Sequence, residues 1–236
     1  MTDDSVKQPI VVLACKVFQG MFERFAKPGT IQKYIYLDYG LHRIPRKLNQ
    51  AIQEALDSLQ EPSLVVLGYG LCGNGLHGIR AGKHTLLISR VDDCIAIFLG
   101  SYERYRQEFN SESGTYYLTK GWLESGSNPL QEYQDYVQKY SNPKALWLID
   151  SLYHNYKRLV LVADSQEDLE NYRDRALEVA KFCERWGMQY QEILGSSEYF
   201  EHLISAASQS EPADANFILV PPGGELRQDQ FLRLAF

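Results

Sequence analysis

Short, continuous apolar runs alternate with amphipathic segments, and this alternation restricts the fold of the 236-residue chain more than any other feature. Ile10–Ala14 and Leu64–Leu67 are too short for ordinary helices. An apolar side chain at every position is typical of strands that are buried on both faces of a parallel sheet. Between these two runs, Pro45–Leu59 carries apolar residues at helical spacing on one face. The alternation therefore predicts an α/β fold with a mostly parallel sheet and flanking helices.

The second half of the chain repeats this alternation of strands and helices. We predict later strands at Leu159–Ala163, Tyr190–Leu194 and Phe217–Val220. A long helix at Glu167–Trp186 lies between the first two of them. The two series predict two Rossmann-like lobes around a cleft, formed by residues 1–110 and 111–236, and a single domain over residues 1–236 is the alternative.

Four further segments in the first half of the chain are interpreted from their patterns. Helical spacing predicts helices over Val17–Ala26 and over Asp92–Phe109. Leu86–Ser89 is predicted to be a strand. Gly114–Trp122 is rich in aromatic and hydroxyl side chains and has glycine near both ends, so we predict an ordered loop or a short strand that lies over a site.

Composition excludes some classes of function. The net charge is −6 and there is no long basic run, so we expect no nucleic-acid partner. The apolar runs are far shorter than the roughly 20 residues that cross a membrane, and the polar, acidic start is unlike a signal peptide. We therefore expect a cytoplasmic protein without a membrane partner. The 16 tyrosines suit clefts and interfaces, which is compatible with a small-molecule ligand and with a homo-oligomer.

A glycine-rich loop follows the predicted strand Leu64–Leu67. Six of the 17 glycines fall between Gly68 and Gly82. Because glycine tolerates positive φ and lets backbone approach a ligand closely, such a loop at the end of a strand is typical of a binding site. The residues that we predict to bind a cofactor or ligand here are Gly68, Gly70, Gly73 and Asn74, with Tyr117 reaching the ligand from the Gly114–Trp122 segment.

Three cysteines follow predicted strands at the point where each strand ends. Cys15 ends the first strand, Cys72 lies in the glycine-rich loop, and Cys94 follows the strand Leu86–Ser89. Ligands of open parallel sheets bind at the carboxyl ends of the strands, so we expect these thiols to converge, together with Asp164 and Pro221–Gly224. Three thiolates favour zinc or an iron–sulfur cluster over magnesium or calcium. A metal-dependent enzyme or metal-handling protein is the first hypothesis.

Two other hypotheses remain open on the same residues. Cys94 at the first turn of a helix would suit a cysteine nucleophile that acts on a small molecule, with the tyrosine-rich segment Gly114–Trp122 over the substrate. Asp93 or His77 would assist the metal site of the first hypothesis, and His77 is also a candidate general acid or base. The third hypothesis is a non-catalytic module that binds a tetrapyrrole, such as a corrinoid, or a nucleotide. Each cysteine can also be a small buried hydrophobe, and Cys183 within the helix Glu167–Trp186 is interpreted in that way.

A dinucleotide is a less favoured cofactor. Gly68-Tyr-Gly-Leu-Cys-Gly73 matches G-x-G-x-x-G after a strand, and Asp92 follows about 20 residues later, as in the dinucleotide fingerprint. The connection that follows contains Gly75, Gly78 and Gly82, which disfavour a crossover helix. The fingerprint requires the N-terminus of that helix to hold a pyrophosphate.

Four segments resemble a prokaryotic family known as the domain-of-unknown-function 1638 family. They are Gly68-Tyr-Gly-Leu-Cys-Gly-Asn-Gly75, Asp93-Cys94 followed by Leu99-Gly-Ser101, Gly114-Thr-Tyr-Tyr-Leu-Thr-Lys-Gly-Trp122, and Pro221-Pro-Gly223. The resemblance implies His-Asp-Cys where this chain has Asp92-Asp93-Cys94, so a role for that histidine does not carry over. Some members resemble accessory proteins of corrinoid methyl transfer, which implies metal or tetrapyrrole chemistry.

Overall fold

The structure is a computed structural model, and it describes residues 8–208 and 215–233. The strands are β1 Ile10–Cys15, β2 Ile31–Leu37, β3 Leu64–Gly68, β4 Thr85–Ser89, β5 Thr115–Leu118, β6 Arg158–Ala163, β7 Gln189–Leu194 and β8 Phe217–Val220. The α-helices are α1 Met21–Phe25, α2 Pro45–Asp57, α3 Cys94–Leu99, α4 Tyr102–Ser111, α5 Lys120–Ser125, α6 Pro129–Lys139, α7 Asn142–Tyr153, α8 Gln166–Cys183 and α9 Glu198–Ser208.

The described strands form two sheets. The larger sheet has the order β2-β1-β3-β4-β8, in which the first four strands are parallel and β8 runs antiparallel to β4. The smaller sheet has the order β5-β6-β7, and its strands are all parallel. The predicted α/β class with mostly parallel sheets is confirmed.

The chain divides into two compact units, Met1–Ile97 with Glu198–Phe236 and, between them, Phe98–Ser197. This division differs from the predicted boundary after residue 110, because the last helix and strand return to the first unit. Phe200 of α9 packs on Phe22 with ring centroids 5.2 Å apart, and β8 pairs with β4. A hydrophobic pattern identifies a buried strand, but it does not say which sheet the strand joins.

Two predicted helices are interrupted at glycines. Val17–Ala26 is not one helix, because Gly20 has a φ of +87° and directly precedes α1. Asp92–Phe109 is not one helix either. α3 ends before Gly100, which has a φ of +84°, and α4 begins after Ser101, whose Oγ accepts a hydrogen bond from the backbone N–H of Arg104. Each glycine adopts a left-handed conformation that an uninterrupted right-handed helix excludes.

The aromatic segment Gly114–Trp122 contains a strand and the start of a helix. Thr115–Leu118 is β5, which pairs with β6 at the edge of the smaller sheet. Thr119 then caps α5 by accepting a hydrogen bond from the backbone N–H of Trp122. The short-strand alternative is therefore the one that the structure bears out, and the hydroxyl of Thr119 has a capping role.

The order of the larger sheet places a topological switch point between β1 and β3. The chain leaves β1 to form β2 on one side and later returns to form β3 on the other. Ala14 pairs with Gly68, so the carboxyl ends of β1 and β3 lie level with each other. Ligands of open α/β sheets bind in the crevice outside such a point. Cys15 and the glycine-rich loop both lie at this end of the sheet.

Cys183 belongs to the core of the second unit. It is fully buried at the end of α8, among residues that include Leu161 of β6 and Ile149 of α7. Burial raises the pKa of its thiol from 9.0 to about 12. This thiol packs as a small apolar side chain and keeps its proton at neutral pH.

We expect Cys183→Ala to lose less stability at alkaline pH than the wild type. Below pH 9.0 the thiol is protonated in both states, and as the pH rises toward 12 only the unfolded state releases the proton. The free energy of unfolding of the wild type should therefore fall by about 1.4 kcal/mol more than that of the variant between neutral pH and pH 10. Urea unfolding of both proteins at the two pH values measures this difference, and an equal loss would contradict it.

Candidate functional site

Cys15 closes β1 and faces a largely buried environment. The residue is 7% exposed, and a single 3-10 turn, Lys16–Phe18, follows it. Burial, opposed by the backbone N–H of Val17 and aided by the charge of Asp38, raises the pKa of its thiol to about 11. The thiol is therefore neutral at physiological pH.

The loops that follow β3 and β4 are joined by their backbones. The N–H of Leu71 donates to the carbonyl of Val91 at 2.9 Å, and the N–H of Cys72 donates to the carbonyl of Asp92 at 2.9 Å. A Cβ at Gly70 would lie 2.7 Å from the Cα of Asp93, so only glycine allows this approach. The two loops therefore hold Cys72 beside the segment that leads into Cys94.

Cys72 has a left-handed backbone with a φ of +49°. That conformation costs a residue with a Cβ roughly 1–2 kcal/mol, and only Gly, Asn and Asp visit it routinely. Asn74, with a φ of +70°, is one of the tolerant types, whereas Cys72 is not. Unfavourable backbone conformations persist where the surrounding structure enforces them, and they cluster at functional sites.

The three thiols lie close enough for their charges to interact. Burial, followed by the charges of Asp93 and Cys15, raises the pKa of Cys72 to about 12. Burial also raises the pKa of Cys94 well above its usual value, as do Cys72, Asp93 and Cys15. Cys15, Cys72 and Cys94 thus all lie at the carboxyl edge of the larger sheet, within the range over which their charges affect one another's pKa values.

Backbone N–H groups near two of these thiols lower their pKa values. Val17 has this effect on Cys15, and Gly70 and Cys94 have it on Cys72. Burial outweighs the donors, so the thiols remain protonated. Cys72 and Cys94 nevertheless retain partial exposure to solvent. The raised pKa of Cys94 is opposite in direction to what a thiolate nucleophile requires.

Asp93 has a structural role at the start of α3. Its Oδ1 accepts a hydrogen bond from the backbone N–H of Ile95 at 2.8 Å, which caps the start of α3. The same carboxylate raises the pKa values of Cys72 and Cys94. Asp93 therefore orders the turn that carries Cys94 and adds negative charge beside the thiols.

His77 lies on the exposed side of the glycine-rich loop. Its Nδ1 accepts a hydrogen bond from the backbone N–H of Gln228 at 3.3 Å, and its carbonyl accepts one from the Nδ2 of Asn49 at 2.8 Å. These contacts join the loop to α2 and to the segment after β8. The side chain that acts most strongly on the pKa of Cys72 is Asp93, and His77 is not among the groups that shift it.

The predicted cofactor-binding glycines have packing roles. A Cβ at Gly68 would lie 2.5 Å from the Cβ of Ala14 and 2.8 Å from the ring of Phe22, and Gly70 packs against Asp93. Gly73 and the exposed Asn74 form the left-handed part of the turn. Residues 69–84 contain no helix, so the loop lacks the helix N-terminus that the dinucleotide fingerprint uses.

For three other predicted contributors, the argument from the carboxyl edge of the sheet does not hold. Tyr117 lies in β5 and Asp164 directly follows β6, so both belong to the other compact unit. Pro221–Gly224 follows β8, which is antiparallel to β4, and its predicted position at the carboxyl edge of the parallel strands is wrong. A strand that runs in the opposite direction delivers its C-terminal loop to the opposite edge.

Sequence reasoning missed Tyr69, which directly follows β3. The residue is 2% exposed, and its hydroxyl has no hydrogen-bond partner among the described residues. Burial raises the pKa of Tyr69 well above its usual value, and the charges of Cys15, Cys72 and Cys94 raise it further. Its position between two glycines, Gly68 and Gly70, was the only signal in the sequence.

Two properties of the described residues bear on ligands and membranes. Over this part of the chain, no group of three or more His, Cys, Asp or Glu side chains stands ready to hold a metal ion. None of the helices within residues 8–208 and 215–233 combines the length and apolar character needed to cross a membrane.

Comparison with known proteins identifies the family. The family model described as "Protein of unknown function (DUF1638)" matches residues 36–204. The chain belongs to this family. The predicted resemblance is thereby confirmed, and the matched region includes Cys72 and Cys94 but not Cys15. Comparisons with curated proteins and with solved structures found no match.

Proposed function

We propose that the protein binds a thiophilic metal ion, zinc in the first place, through Cys15, Cys72 and Cys94. It would act as a metal-dependent enzyme or a metal-handling protein for a small molecule, in the cytoplasm, where thiols stay reduced. The observation that carries this proposal is Cys72, a thiol that occupies a left-handed backbone position at the same sheet edge as two other cysteines. A residue chosen for stability alone at that position would be glycine or asparagine.

The backbone donors around the thiols support the same proposal. The backbone N–H groups of Val17 near Cys15, and of Gly70 and Cys94 near Cys72, stabilise thiolates more than thiols. Such outer contacts orient metal ligands and adjust their basicity. Burial and the negative charge of Asp93 make it costly for these thiols to ionise. A bound metal ion would offset that cost by placing positive charge beside the thiolates.

Zinc is favoured over an iron–sulfur cluster because of the number of cysteines. A cluster takes four thiolates, whereas the chain has four cysteines in all and Cys183 is buried in the core of the other unit. Three protein ligands with one further position are typical of zinc that acts on a substrate. Because the thiols are protonated and do not stand in a ligand arrangement, binding would release protons and rotate side chains.

Zinc titration of the reduced protein under anaerobic conditions, against a chromophoric chelator, tests the proposal. We expect one ion per chain and the release of about three protons at neutral pH, because each of the three ligating thiols must ionise. A pH indicator in weak buffer measures the protons. Absence of near-stoichiometric binding would refute the metal site.

Cys72→Gly separates the ligand role of this residue from its structural role. Glycine adopts a φ of +49° without penalty, so we expect the free energy of unfolding to stay within about 1 kcal/mol of the wild-type value. Zinc affinity should nevertheless fall by more than about tenfold, because a ligand is lost. Cys183→Ala removes a thiol outside the site and should leave affinity unchanged. Equal zinc affinities of Cys72→Gly and the wild type would exclude Cys72 as a ligand.

A further inference from the structure

We infer that His84 is an acid-sensitive latch, which joins the amino ends of β3 and β4 and releases them when its imidazole becomes positively charged. His84 directly precedes β4, and Ser63 directly precedes β3. The latch therefore lies at the amino edge of the larger sheet, at the opposite end of these strands from the loops that carry Cys72 and Cys94.

The imidazole of His84 accepts a backbone hydrogen bond at the entry to β3. Both His84 and Ser63 are 3% exposed, and the Nδ1 of His84 accepts from the backbone N–H of Ser63 at 3.3 Å. The adjoining backbone groups are engaged in strand pairing. The carbonyl of Ser63 accepts from the N–H of Thr85 at 3.0 Å, and the N–H of Leu64 donates to the carbonyl of Pro9 at 3.0 Å. His84 thus satisfies a buried backbone donor, and the loss of such an acceptor costs about 1–3 kcal/mol.

This hydrogen bond fixes the protonation state of His84. A neutral imidazole carries its proton on one nitrogen, so an Nδ1 that accepts requires the proton to be on Nε2. A positively charged imidazole carries a proton on both nitrogens. The Nδ1–H of a charged His84 and the N–H of Ser63 would then face each other as two donors in a buried place, and the hydrogen bond that closes the latch would be broken.

The surroundings of His84 favour its neutral form. Burial, followed by the charge of Lys83 in the preceding turn, lowers the pKa of His84, whereas the backbone of Leu56 and the charge of Asp57, both in α2, act to raise it. Glu61, in the connection that leads to β3, is not among the groups that shift it. In an open latch, water surrounds the imidazole and its pKa returns toward the usual value. As the pH falls, the open form therefore binds the proton first, so acid favours opening and neutral pH favours closure.

Amide hydrogen exchange at pH 7 and pH 5, corrected for intrinsic exchange rates, measures this opening at Ser63 and Thr85. Between the two pH values, the protection factors of both amides should fall about tenfold more in the wild type than in His84→Asn. The asparagine Oδ1 takes the place of Nδ1 as an acceptor that does not titrate. His202→Asn is the matched control, because His202 is an exposed histidine of α9 in the same unit, and it should behave like the wild type.

Nitrogen NMR of the imidazole adds a readout that requires no variant. At pH 7 the ring of His84 should carry its proton on Nε2. A proton on Nδ1 at that pH, or equal losses of protection in the wild type and in His84→Asn, would overturn the latch. If His84→Asn does not fold, the wild type still decides, because unchanged protection of Ser63 and Thr85 between pH 7 and pH 5 contradicts opening by acid.

Discussion

Gly70→Ala is expected to lower the free energy of unfolding by about 3 kcal/mol and to abolish tight zinc binding. The new methyl group would lie 2.7 Å from the backbone N and Cα of Asp93, where neither atom belongs to a flexible side chain. The two loops would have to separate, which breaks the hydrogen bonds from Leu71 to Val91 and from Cys72 to Asp92. Cys72 and Cys94 would then no longer lie side by side.

Urea unfolding and the zinc titration measure these two effects on the same preparation. Gly40→Ala is the matched control, because a Cβ at Gly40 meets nothing nearer than the Oδ1 of Asp38 at 3.6 Å and the backbone there is not left-handed. It should change the free energy of unfolding by less than about 0.5 kcal/mol and leave zinc affinity unaltered. If both variants behave alike, the close approach of the loops does not determine the site.

Arg158→Met is expected to lower the free energy of unfolding by about 3 kcal/mol, because it destabilises the unit Phe98–Ser197. Arg158 begins the central strand β6 and is buried at 8% exposure. Its guanidinium forms a 2.9 Å ion pair with the Oε2 of Glu108 and donates to the Oγ1 of Thr115 at 2.8 Å and to the Oε1 of Gln191 at 3.1 Å. Methionine fills similar volume but leaves a carboxylate and two polar side chains without their donor.

Arg173→Met provides the comparison for Arg158→Met. Arg173 forms an ion pair of similar length with Glu192, 2.8 Å, but its side chain is 38% exposed. Water can solvate both groups when this pair is broken, so the loss of stability should be much smaller than for Arg158→Met. Urea unfolding of the two variants measures the difference. Equal losses in the free energy of unfolding would show that burial does not make the Arg158 interactions more stabilising than the exposed pair.

Local pattern was sufficient for most of the secondary structure. The apolar runs at β1 and β3 and the amphipathic spacing of α2 predicted those elements because burial on two faces and burial on one face leave different periodicities. The same reasoning failed at Gly20 and Gly100, where a single left-handed residue divides a segment that reads as one helix. Helical spacing reports which face is apolar, and it carries little information about one φ angle.

The sheet edge at which each cysteine lies was predictable as far as strand direction was. Cys15, Cys72 and Cys94 were placed together because they follow strands that are parallel, whereas the loop after β8 was misplaced because an edge strand can pair in either direction. Tyr69 was missed because nothing in a sequence distinguishes a satisfied buried hydroxyl from an unsatisfied one. The partners of a polar group depend on residues that are distant along the chain.

The sequence by itself determined the α/β class, the family and the three cysteines that end or follow parallel strands. Only the tertiary structure decided that β8 completes the first sheet, that Gly70 is needed for contact between two loops, and that Cys72 has a left-handed backbone. The physical reason is the separation along the chain of the residues that interact. Periodic burial is encoded by neighbouring residues, whereas strand pairing, loop contact and the satisfaction of buried polar groups are decided by segments that meet only after the chain has folded.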